Sequence, residues 1–316
     1  MAIEGPPPIV VVMEQEAGLF SASIGSHLTG HEGLVHGGAA GALLVGQVRE
    51  LAGVGQPVWI KSIIVTYPMA VSLSGGTLKT SGERIGARGF KVQLHQARKD
   101  GQARSDKKPS TEAVGSYVLD PYTLSHGINV PDSLLTQVPA ELDTKPEEIL
   151  EWAINNGKTQ LVSYIKSAMP FYENLGVYNS FYYNTGSDRT EIHLDVSPKH
   201  TIYRNGEPTV DEGLIVALLD SCSGAQVFTR AVGDQIPVTS MNRVDFWSPI
   251  PPSGKLVTLS SKTSVLDKNK YIVDTEVWHS SGTHTEPVLV ATGSSSICLL
   301  PTNLVNRLLA LSKVSA

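Results

Sequence analysis

The sequence predicts an α+β protein made of two copies of one unit, each a buried helix followed by an antiparallel meander of strands. Three observations carry that prediction. A glycine-led apolar stretch occurs twice, as Gly33 to Val45 and as Pro208 to Asp220, and the two align when His36 is set against Asp211, an offset of 175 places. Strand-like runs rich in Val, Thr and Tyr follow each copy in the same order. The segment between the copies has a different, proline-marked and helical character. A repeat this long signals duplicated domains and not a solenoid.

The two apolar stretches, Ala39 to Ala52 and Leu214 to Val232, are of helical length, lack an interior proline and are apolar almost all round, as a helix buried on every side should be. In the first half, strands are expected at Val58 to Pro68, Thr77 to Ser81, Gly89 to Arg98 and Ala113 to Leu119. Their counterparts are Val238 to Pro249, Leu256 to Ser264, Tyr271 to His279 and Val288 to Leu300. Asp100-Gly101 and Ser281-Gly282 supply turns between the last two strands of each half. Between the halves, Glu147 to Ala168 reads as one amphipathic helix, opened by acids behind Pro146. A short amphipathic segment, Asn303 to Ser312, closes the chain. The expected domains are 1–120, a linker with a helical brace at 121–185, and 186–316.

Bulk properties bound the function. A chain of 316 residues accommodates two ordinary domains, and 41% apolar with 17% charged residues is a soluble globular composition. A net charge of −5 without a basic stripe argues against nucleic acid. The densest basic stretch, Arg98 to Lys108, is interrupted by Asp100 and Asp106 and reads as a solvated loop. Two cysteines, Cys222 and Cys298, are too few for a disulfide framework and point to a reducing compartment, with Cys222 a small core residue. No metal-ligand spacing and no nucleotide-binding fingerprint occurs, so neither metal nor cofactor is expected. Pro6-Pro7-Pro8 stands where a signal peptide needs its apolar helix, and Ile9 to Met13 is too short to span a bilayer, so a cytoplasmic protein is expected.

The repeat has decayed in a complementary way. The first copy keeps His36-Gly37-Gly38 but has Val45 where the second has Asp220; the second has Asp211-Glu212-Gly213 in place of the His-Gly-Gly turn. One surviving composite site is therefore expected. The opposite site, Asn205, Asp211 and Glu212 against Val45, should be catalytically dead. A helix N-terminus offers free N–H groups and a positive dipole end, and glycine admits close approach, so Gly37 and Gly38 suit an oxyanion hole. Asp220, buried among Leu218, Leu219 and Cys222, could act as a general base or as a nucleophile. Thr239 could hold a water or bond Asp220. More ordinary roles stand beside these: His36 bracing a turn, Asp220 paired with Arg243 or Arg230, and Thr239 as one strand threonine among many.

A central helix entered through His-Gly-Gly and wrapped by an antiparallel meander resembles the hotdog fold. Two copies joined by a helical linker resemble the double-hotdog acyl-CoA thioesterase II family over residues 17–120 and 186–300. The resemblance implies a catalytic Asp in the second helix and a Thr on the next strand, which Asp220 and Thr239 match. It also implies a Gln after a Leu-Val-Ala-Thr run on the last strand. Leu289 to Thr292 is present, but Ser295, a shorter side chain, stands at the Gln position. Single-hotdog phenylacetate-pathway thioesterases are similar in the His-Gly-Gly turn, which in them faces the helix Asp and a strand Ser/Thr of the other subunit. The resemblance implies that His36 and Gly37 face Asp220 and Thr239 across the two halves. These thioesterases carry an Asn six residues earlier, where this chain has Gly30. The segment Asp188 to His193 has the spacing of a hotdog enoyl hydratase motif with Thr190 replacing its Asn, and reads as the first strand of the second half.

The expectation is an acyl-thioester hydrolase acting on acyl-CoA or carrier-protein-bound acyl chains, as a monomer or homodimer. The alternatives are a dehydratase or cyclase on the same scaffold, using His36 and Asp220 as an acid–base pair on a polyketide-like intermediate, or a non-catalytic acyl-binding protein. One fold hosts many chemistries, so the site must decide.

Overall fold

The computed structural model describes residues 14–16, 19–23, 28–30, 34–52, 57–68, 71, 77–96, 109–120, 147–281 and 286–307. The first half comprises β1 (Glu14–Glu16), β2 (Leu19–Ser23), α1 (Gly37–Ala52), β3 (Trp59–Thr66), β4 (Thr77–Ile85), β5 (Gly89–Gln96) and β6 (Thr111–Val118). The intervening region adds β7 (Glu147–Glu148), α2 (Ile149–Asn155), α3 (Thr159–Ser167), α4 (Met169–Leu175) and β8 (Phe181–Asn184). The second half contains β9 (Arg189–Asp195), β10 (Thr201–Arg204), β11 (Glu207–Val210), α5 (Glu212–Phe228), β12 (Gln235–Phe246), β13 (Lys255–Asp267), β14 (Lys270–Ser280) and β15 (Val288–Pro301).

Each half wraps its meander around its own helix. α1 packs on β4, β5 and β6, while α5 packs on β9 and on β12 through β15. All seventeen residues of α5 are buried, as its lack of a polar face requires. The two half-sheets join edge to edge through antiparallel β3 and β12 into one continuous thirteen-stranded sheet. Joining them satisfies the backbone groups of two edges that separate sheets would leave open. The arrangement is the double hotdog.

α1 and α5 cross antiparallel at the centre. A methyl group built on Gly38 would lie 2.8 Å from the Ala217 Cα, and one on Gly213 would lie 3.3 Å from the Ala42 Cβ. These two contacts exchange under the 175-place offset, so the repeat in the sequence is also a pseudo-twofold axis in space. The first-turn glycines let the helices meet backbone to backbone.

The intervening region departs from the single helix expected over 147–168. Gly157, at φ +66, breaks the run after α2, and Pro170 opens α4 at the position where its missing N–H costs nothing. Three short helices result, and strands β7 and β8 extend the second half's sheet beyond β9. Residues 302–307 are helical, overlapping the closing segment expected at 303–312. The Asp100-Gly101 turn, the basic stretch at 98–108, Gly282, and the remainder of the closing segment lie outside the described residues, apart from Ser281. None of the described helices is long and apolar enough to cross a membrane.

Candidate active site

His36 caps α1. Its Nδ1 accepts from the Gly38 N–H at 3.0 Å, and its backbone carbonyl accepts from Ala40. At the pseudo-equivalent position Asp211 caps α5 in the same manner, accepting from Gly213 N–H at 2.7 Å. The duplication has kept the cap and changed its chemistry.

The Gly38 N–H serves a second acceptor. It lies 2.6 Å from Asp220 Oδ2, reaching across from α5, and Asp220 Oδ2 lies 3.3 Å from His36 Nδ1. One N–H therefore bridges a carboxylate and an imidazole, both almost wholly buried (4% and 3% exposed). The Gly38 N–H expected in an oxyanion hole is thus occupied by the carboxylate itself. Gly37, by contrast, lines the adjoining cleft. A methyl on Gly37 would sit 2.9 Å from Asp220 Oδ2, so glycine is needed there for the carboxylate to reach the helix end.

The other Asp220 oxygen is held by a residue not foreseen. Asn242 Nδ2 donates to Oδ1 at 2.9 Å and to the Tyr67 hydroxyl at 3.1 Å. Thr239 lines the cleft but makes no hydrogen bond with Asp220. A bulge in β12 between Thr239 and Met241 explains the substitution. The extra residue shifts the alternation by one, so Asn242 turns inward where strict period two from Thr239 would bring Met241 and Arg243. Arg243 instead turns out and pairs with Asp245, and Arg230 pairs with Asp188; neither meets Asp220. Ser295 stands opposite Asn242 in the β12–β15 ladder, but its hydroxyl bonds Ser223 at 2.8 Å and it does not line the cleft.

The intervening helices, expected as a brace, supply a third wall of the site. Phe171 of α4 stacks on the His36 ring with centroids 4.2 Å apart. Tyr164 of α3 places its hydroxyl 3.0 Å from His36 Nε2, and the Tyr172 hydroxyl lies 3.4 Å from both. Burial pushes the His36 ring below its ordinary value against the pull of Asp220, so the ring is neutral. Burial likewise pushes the phenols of Tyr67, Tyr164 and Tyr172 up, with the charge of Asp220 adding to it, so all three are protonated donors.

Asp220, His36, Tyr67 and Tyr164 line one cleft. Its walls are otherwise largely apolar, with Leu34, Val71, Ile236, Val238 and Val305 among them. Gly224, one helical turn beyond Asp220 on α5, also lines it, and a methyl there would meet nothing within 4 Å.

At the pseudo-equivalent site Gly224 is replaced by Arg49, four residues beyond Val45. Arg49 bonds Asp211 and reaches Glu212 at 2.8 Å, and Arg204 bonds Glu212 from the other side. Burial alone would raise the Asp211 carboxyl, but Arg49 and the Gly213 N–H reverse this and hold it below the usual carboxylate range. Four charged side chains thus close the space that stays open beside Gly224. Asn205 sits in a β-turn at φ +51 and takes no part in this network. His193 pairs with Glu191 on β9, and neither lines the cleft. Cys222 is fully buried, with its thiol pushed up by burial, as a core residue should be. No cluster able to hold a metal occurs among the described residues.

No family model matches the sequence, and no curated protein matches it. Among solved structures, similar ones span nearly the whole chain. An acyl-CoA thioesterase II, TesB2, from Mycobacterium marinum covers 93% of this chain and 96% of its own, at TM-score 0.54 and 11% identity. The TesB protein of Mycobacterium avium subsp. paratuberculosis gives 92% and 96%, 0.54 and 13%. A hot dog fold protein of unknown function from Alicyclobacillus acidocaldarius gives 92% and 96%, 0.55 and 12%. These likenesses are of fold: the chain has the double-hotdog fold.

Proposed function

We propose that the chain is an acyl-thioester hydrolase working through one composite site between its halves, on acyl-CoA or carrier-protein-bound substrates. The observation that carries this is the Asp220 carboxylate, fixed 2.6 Å from the first-turn N–H of the opposite half's helix at the wall of an apolar cleft. A carboxylate held on both oxygens is oriented, and each oxygen retains a lone pair for a water proton. The acyl chain occupies the apolar cleft. Asp220 removes a proton from the attacking water, with Asn242 and Gly38 fixing its orientation. Thr239 faces the same cleft and positions that water. With Gly38 engaged, the thioester carbonyl oxygen is received at Gly37, whose N–H belongs to the unpaired first turn. Ser295 acts only through Ser223, not on substrate.

The test is thiol release from a panel of acyl-CoAs, wild type against Asp220→Asn. Loss of about 10²-fold or more in kcat, with ligand binding retained, is expected for a removed general base. Wild-type silence toward every thioester would sink the reading. One alternative has its own support: the 3.3 Å contact of His36 with Asp220 also suits an acid–base pair for dehydration or cyclisation. Substrate consumption without thiol release would select it.

A further inference from the structure

Three phenols surround the Asp220–His36 pair, and their hydrogen-bond inventory distinguishes them. A phenol has one hydrogen to give and two lone pairs to fill. Tyr164 receives on both. His36 is neutral, and with Nδ1 accepting the Gly38 N–H its proton resides on Nε2, which points at the Tyr164 oxygen at 3.0 Å. The Tyr172 hydroxyl donates to the same oxygen at 3.4 Å. Its own hydrogen is then directed away from both donors, and Tyr164 lines the cleft whereas Tyr172 does not. Tyr67 also lines the cleft, but its oxygen receives from Asn242 and has no contact with His36.

The geometry points to Tyr164 as the proton donor of this site, the outer end of a relay running from Asp220 through His36. This rests on the reading of Asp220 as the base in thioester hydrolysis. The water oxygen bonds to the acyl carbon and the C–S bond breaks. One water proton goes to the Asp220 carboxylate. His36 Nδ1 takes it from Oδ2, 3.3 Å away, as the Nε2 proton moves to the Tyr164 oxygen and the Tyr164 proton moves to the departing sulfur. The second water proton leaves with the acid product, which ionises to solvent, so thioester and water give acid and thiol with no charge left on His36 or Tyr164. His36 ends with its proton on Nδ1, and the reverse shift restores the Nε2–H form. Tyr164 returns a proton to Nε2 and refills from cleft water as Nδ1 gives its proton back through Asp220 to water. The Gly38 N–H, shared by both acceptors, holds the carboxylate and the imidazole lone pair together until the proton arrives. Phe171, stacked on the ring, fixes the imidazole plane between its partners.

Two measurements on the full chain test this. The first compares Tyr164→Phe and Tyr67→Phe with wild type on an acyl-CoA and on the matching nitrothiophenyl thioester, whose acidic thiol leaves without a proton. Tyr164→Phe should lower kcat on the CoA ester by about 10²-fold with KM little changed, and on the activated ester by far less. Equal losses on both esters would mean a structural role and overturn the assignment, as would a leaving-group-dependent loss in Tyr67→Phe alone. The second is the imidazole ¹⁵N spectrum of His36, assigned by its loss in His36→Gln. The relay requires the Nε2–H tautomer; an Nδ1–H ring overturns it whatever the kinetics. If wild type releases thiol from neither ester, the hydrolase reading fails and takes the relay with it, whereas equal losses or an Nδ1–H ring in a protein that does release thiol overturn the relay alone.

Discussion

Replacing Gly38 by alanine sets two ordinary effects against each other on one helix. A methyl at position 38 would lie 2.8 Å from the Ala217 Cα, 3.0 Å from its carbonyl oxygen and 3.2 Å from His36 Nδ1. Carbon atoms prefer about 3.5–4.0 Å, so α1 and α5 must part by roughly 1 Å where both backbones are wedged within the sheet. Overpacking of this kind costs about 1–3 kcal/mol, offset by about 1 kcal/mol of gained helix propensity. Gly46, on the same helix, has nothing within 4 Å of its would-be methyl and meets only the favourable term. Gly38→Ala should therefore destabilise by up to about 2 kcal/mol and Gly46→Ala stabilise by about 0.5–1 kcal/mol. Urea unfolding at neutral pH reads both from the midpoints at constant slope. The same displacement stretches the 2.6 Å Gly38–Asp220 bond, so Gly38→Ala should also lose turnover while Gly46→Ala keeps it. A Gly38→Ala protein as stable as Gly46→Ala would refute the close helix crossing.

Gly224→Leu should shorten the acyl chains accepted, because its side chain enters the space that Arg49 fills at the other site; excluding three or four methylenes at about 0.8 kcal/mol each lowers long-chain specificity about 10²-fold. Gly224→Ala should be tolerated, and an unchanged chain-length profile in the leucine variant would place the acyl group elsewhere. Stability should fall in acid through His200, whose ring is pushed down to about 4 by burial and by Lys199, with Nε2–H donating to the Leu175 carbonyl at 3.0 Å. The folded state binds this proton less readily than the unfolded chain, so the contribution is complete above about 6.5 and is lost as pH falls toward and through 4. At pH 4 the loss is about 3 kcal/mol, and the urea midpoint of His200→Gln should fall less steeply with pH than that of wild type.

Much of the architecture is legible in the chain. Two apolar helices without a polar face must be wrapped, and alternating runs of Val, Thr and Tyr after each are what wraps them. The composite pairing of His36 with Asp220 was also legible, since a repeat that loses its acid in one half and its His-Gly-Gly in the other leaves a single place where both occur. Asn242 was hidden because a bulge, which no periodic pattern announces, changes which residues of β12 face inward. Tyr164, Phe171 and Tyr172 were hidden for another reason: they lie 128 to 136 residues from His36, on helices whose local sequence says only that they are amphipathic. The sequence by itself determined the repeat, its two buried helices and the meeting of His36 with Asp220 between them. Only the tertiary structure decided what surrounds that pair, because long-range packing of the intervening helices and one irregularity in a strand set which side chains converge on it, and neither leaves a local trace.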